Sequence, residues 1–103
     1  MNPKYERSAE RIRALIEEGE SVARLERDSS VGPFIQDKVP LRAWLVKVEN
    51  IIVTTFGRDS AHGRHFETLT HRQPEHSYEV RSLVGLLTGA LDDLEAGFLV
   101  LLC

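Results

Sequence analysis

Three stretches of this chain return apolar side chains to one side every three or four residues. That is the period of an α-helix face, not the alternation of a strand. The last is the clearest: Val80, Leu83, Val84, Leu87, Ala90, Leu91, Leu94, Phe98 and Leu101. The middle one runs Leu41, Trp44, Leu45, Val48, Ile51, Ile52, Thr55 and Phe56. The first runs Tyr5, Ala9, Ile12, Ile16, Gly19 and Ala23, widened by Leu15, Val22 and Leu25. A helix with such a stripe must bury it against another element. The fold expected is therefore all-α, an antiparallel bundle of three long helices plus one short helix.

Local signals set the boundaries. A first helix is expected over 3–27, with Asn2 as cap and Pro3 at the first helical position, where its missing N–H costs nothing. Its other side is charged, with Arg7, Glu10, Arg13, Glu17, Glu20 and Arg24. Residues 28–36 carry Ser, Gly and Pro and read as a linker, with Phe34 and Ile35 folding back onto the core. A second helix is expected over 38–56, with Pro40 in its first turn and Gly57 at its C-terminal end. Residues 51–56 are rich in β-branched side chains and could form a strand by propensity, but the spacing favours helix. Val46 and Val53 fall off the main stripe, which implies burial on more than one side. Asp59 or Ser60 can cap a short helix over 60–70. A polar turn follows around Pro74, and Ser77 is expected to cap a last helix over 78–102.

Composition removes several classes. The chain has 103 residues and one cysteine, Cys103, so no intrachain disulfide can form. No CxxC pair is present, which disfavours a thiolate zinc site. Residues 1–20 hold nine charged side chains and no apolar run, unlike a signal peptide. No uncharged apolar stretch reaches the ~18 residues of a membrane span. A net charge of −3 does not favour nonspecific nucleic-acid binding. The location expected is cytoplasmic, and no cofactor motif is found.

Phe98 to Leu102 are five large apolar residues in a row, with no Lys or Arg in the last turn. Such an end needs cover. The expectation is that 1–103 is one helical domain, the N-terminal module of a longer protein, or else that the last turn is buried by self-association.

Four histidines fall within 15 residues, at His62, His65, His71 and His76. His62 and His65, three apart on a helix, could join Glu67 or Glu75 around a transition metal. The spacing fits no established metal motif, and the bland reading is a polar loop. Arg58 stands seven positions before His65, and Arg64 seven before His71. This Arg-x6-His spacing resembles the catalytic motif of HEPN-type ribonucleases, helical domains that dimerise. There a His would move a proton at the ribose 2′-OH or the leaving oxygen, while an Arg stabilises the phosphorane charge.

Ser82, Gly85 and Gly89 share a line on the last helix. Each glycine costs a helix about 1 kcal/mol against alanine, so two on one side imply a close neighbouring backbone. That neighbour is either an intramolecular helix crossing or a second subunit. Asp92, Asp93 and Glu95 read as a solvated face, and Trp44 as a core anchor.

One broader resemblance rests on Trp44, on Phe56-Gly57-Arg58-Asp59-Ser60, on Gly85-Leu86-Leu87, and on Leu94-Glu95-Ala96-Gly97-Phe98-Leu99. With these, the chain resembles the helical amino-terminal region of bacterial multidomain proteins linked to abortive infection and phage defence. The resemblance implies a helical segment placed before a separate effector domain. The function expected is a non-enzymatic interaction or oligomerisation module that self-associates, or docks to a C-terminal effector domain or partner protein, and the glycine line and apolar end make Ser82, Gly85, Gly89, Phe98, Leu99, Leu101 and Leu102 its expected surface. The alternative is a small HEPN-like ribonuclease using Arg58, His65, Arg64 and His71.

Overall fold

The structure is a computed structural model that describes residues 3–30 and 32–97. It is mostly helical, with four helices and a small two-stranded sheet. The helix α1 runs Pro3–Ala23, followed by strands β1 (Glu26–Arg27) and β2 (Phe34–Ile35). Helices α2 (Lys38–Phe56), α3 (Ala61–Leu69) and α4 (Ser77–Glu95) complete the order.

The α1 stripe buries Ala9, Ile12, Leu15, Val22 and Ala23. The helix stops four residues short of the expected 27. Glu26 and Arg27 instead pair antiparallel with Ile35 and Phe34. This leaves Leu25 46% exposed in the turn, not on the core-facing stripe. The pairing wins because β2 is tied down elsewhere. Ile35 is fully buried, its N–H donates to the Glu75 carbonyl at 2.7 Å, and Phe34 bridges to His76.

Helix α2 keeps its expected bounds. Asp37 caps it by accepting from the Val39 N–H at 3.1 Å. The Gly57 N–H closes the far end on the Val53 carbonyl, at a φ of 95° that suits glycine. Leu41, Trp44, Val48, Ile51 and Ile52 are buried. Val46, expected inside on a second buried side, is 67% exposed instead, and Val53 is half-buried. Ser60 caps α3, accepting from the Gly63 N–H at 3.0 Å, and α3 buries Phe66.

The residue capping α4 is His76, not Ser77, which is already helical. The Glu79 carboxylate reaches back to accept from the N–H groups of Glu75 and His76. Helix α4 buries Val80, Leu83, Leu86, Leu87, Ala90 and Leu94. It ends at Glu95, short of the expected 102, with Gly97 at φ 77° after it. Helix α1 meets both α4 and α2, and its contact with α4 is the larger. Arg13 pairs with Glu95 and Glu26 with Arg81, in opposite order along the two segments, so α1 and α4 run antiparallel. Among the described residues no helix is long and apolar enough to cross a membrane.

Candidate functional site

The glycine line of α4 lies open. Ser82, Gly85 and Gly89 are exposed, and a Cβ added at either glycine would meet nothing within 4 Å. The Ser82 hydroxyl donates to the Tyr78 carbonyl at 3.0 Å, which keeps it close to its own helix. Tyr78, one turn earlier, is 63% exposed. Among the described residues no intramolecular crossing explains these two glycines.

The close crossing is elsewhere, at Gly19 of α1. A Cβ there would lie 2.8 Å from Val84 Cγ2 and run into the Trp44 ring. Trp44 is fully buried and donates its indole N–H to the Leu15 carbonyl at 2.8 Å. A helical carbonyl has a second lone pair, so this bond need not break the α1 ladder. The sequence signal for this crossing was present, since Gly19 sits on the α1 apolar stripe.

Phe98, Leu99, Leu101 and Leu102, the other expected interface residues, lie outside the described residues.

The structure gives the Arg and His residues separate surroundings. Arg58, in the turn before α3, places its guanidinium 3.4 Å from a Glu49 carboxylate oxygen and 3.6 Å from one of Glu67. His65 and Arg64 are exposed on α3, and His71 is exposed beyond its end. Among the described residues no hydrogen bond or ion pair joins Arg58 to His65, or Arg64 to His71.

His62 takes a different role from His65. Its Nε2 is 2.7 Å from Asp93 Oδ2, and its ring tilts against Phe56 with centroids 4.7 Å apart. This joins the ends of α2 and α3 to the last turn of α4. Glu95 binds Arg13 at 2.5 Å. Asp93 and Glu95 therefore act as interhelical ties, a pairing that adjacent acidic residues do not announce in a sequence. No group of three or more His, Cys, Asp or Glu able to hold a metal ion occurs among the described residues.

At the opposite end of α4 the electrostatics are sharper. Glu26 accepts from the buried Ser77 hydroxyl and faces the Arg81 guanidinium at 3.4 Å. The Ser77 hydrogen bond first, and Arg81 second, hold its carboxyl below its ordinary value. This ties β1 to the first turns of α4.

Two shallow grooves flank residues 71–74. One, of about 360 Å³, lies between α3 and α4 beside Arg72, Tyr78 and Ser82. The other, of about 370 Å³, lies between α2 and the turn, beside Arg42, Val46, Glu49 and Pro74. Both are open to solvent, unlike the enclosed cleft of a typical small-molecule site.

Comparison with known protein families, with curated proteins and with solved structures finds no match.

Proposed function

We propose that this chain is a non-enzymatic helical interaction module, and that it recognises its partner through the Ser82–Gly85–Gly89 line of α4. The observation that supports this is the open space around both glycines. Glycine in a helix interior costs stability and here fills no crossing among the described residues. A second helix laid along α4 could approach its backbone closely at both positions.

The framework for this reading is the antiparallel bundle of three long helices and a short fourth. The resemblance to defence-type proteins extends the reading: the module is the regulatory N-terminal part of a cytoplasmic bacterial protein, and it self-associates or docks to a C-terminal effector domain. The module is favoured over the ribonuclease because Arg58 already shares its charge with Glu49 and Glu67.

The test is Gly89→Leu. Leucine restores helix propensity, so circular dichroism should hold. Complex mass by light scattering, for the chain alone or with its natural partner, should fall. An unchanged mass sinks the α4 surface.

A further inference from the structure

The outer side of α2 carries a second stripe. Val39, Ala43, Val46, Asn50 and Val53 recur at intervals of four, three, four and three, on the side opposite Leu41, Trp44, Val48 and Ile52. Val39 is 76% and Val46 67% exposed, and Ala43 and Asn50 are exposed as well. Alternating steps of four and three are the seam spacing of a helix pair, and this seam lacks a partner helix among the described residues. Single exposed valines are ordinary, but a row at seam spacing is not. Asn50 is the one polar member, and its side-chain amide makes no hydrogen bond within the described chain.

The charges beside the seam are self-complementary in one orientation. Arg42 and Glu49 flank it on one side and Lys47 flanks it on the other. Lys47 is held by Glu18 at 2.7 Å, whereas Arg42 donates to the Pro74 carbonyl and Glu49 faces Arg58 only at 3.4 Å each, contacts long enough to be exchanged for a closer partner. Laid parallel, two copies of α2 would set Arg42 of one against Lys47 of the other, like against like. Laid antiparallel, they set Arg42 against Glu49 twice, once on each side of a two-fold axis. In that register Ala43 of each copy faces Val46 of the other in the two central layers. Asn50 falls at the ends of the contact, where water still reaches its amide.

We infer that the outer face of α2 binds a second copy of this chain, as an antiparallel two-fold pair centred between Ala43 and Val46. This surface is separate from the α4 line, so it stands or falls independently of the proposed function.

The experiment is sedimentation equilibrium on the 103-residue chain over a concentration series, in reductant so that Cys103 cannot cross-link. The mass should reach at least twice 11.7 kDa, and in Gly89→Leu, which removes any association through α4, it should rise toward twice that value and no further. Val46→Lys, at an exposed site that leaves the fold intact, should weaken pairing about a hundredfold, because it buries an unpaired charge at the seam. Val39→Lys should weaken it less. Arg42→Glu and Glu49→Arg should each weaken it about tenfold, and the double swap should restore it. Gly89→Leu should leave this pairing unchanged, which separates it from failure of the α4 reading. A chain that stays at 11.7 kDa throughout overturns the inference. So does pairing indifferent to Val46→Lys, or a double swap that does not rescue.

Discussion

The Trp44 indole donates to the Leu15 carbonyl at 2.8 Å, beside the one α1 position, Gly19, that has no side chain to push it away. The largest side chain of the core thus rests on bare helix backbone. Hydrogen bond and close approach depend on each other.

Gly19→Ala should therefore destabilise the chain, by about 1–3 kcal/mol in urea unfolding, although alanine is the better helix former. Gly63→Ala should act in the same direction, since its Cβ would lie 2.5 Å from the Gly57 and Arg58 carbonyl oxygens. A neutral Gly19→Ala would show that Trp44 has another place to go.

Gly85→Ala and Gly89→Ala should have the opposite sign. Nothing stands within 4 Å of either Cβ, so each should raise unfolding stability by about 0.5–1 kcal/mol. Thermal unfolding at low concentration measures this apart from any association. A loss of stability would place something against that line.

Glu26 predicts an acid sensitivity. Its carboxyl titrates lower in the fold than its ordinary 4.5. Such a group contributes stability above its unfolded value and loses it as pH falls through the lower folded value. Glu26→Gln should flatten the fall in stability below about pH 4.5 and leave no new slope at neutral pH. Denaturant midpoints across that range give the answer. An unchanged acid limb would mean that Ser77 and Arg81 do not hold the carboxylate.

The His62–Asp93 pair should contribute modestly. Asp93→Asn should cost up to about 1 kcal/mol, because the carboxylate is nearly half exposed. His62→Ala should cost more, since it also removes the ring contact with Phe56. Equal effects would mean that the Phe56 contact contributes nothing.

The helical character was legible because the apolar period of three and four runs unbroken through all three long helices. Helix α2 was legible to its ends because Asp37, Pro40 and Gly57 each carry a local conformational preference. The end of α1 was not. Glu26 and Arg27 fit a helix surface as well as a strand, and what decides is their pairing with residues nine and seven positions away. The cap of α4 was misplaced by one residue because Ser77 has the usual chemistry, while His76 is fixed by the β2 bridge and Glu79.

The candidate surfaces were legible only in part. Gly85 and Gly89 were found by their helix cost, but cost alone does not say whether a neighbour is present. Val46 was expected inside because valine is apolar, yet it is exposed. A sequence period reveals that a second stripe exists; only the fold says which stripe the chain itself covers.

Arg13 and Glu95 meet across 82 positions of sequence. During synthesis α1 emerges first, yet its larger contact is with the last described helix to appear. Until α4 is free to turn back, one side of α1 has only solvent or a chaperone to meet, and α2 can cover only the rest. Folding of this domain is therefore gated by a long-range closure rather than by its local helices, which are fast to form. A circular permutant joining α4 to α1 through a short loop would bring the two together in sequence. It should fold faster than the natural order at similar stability.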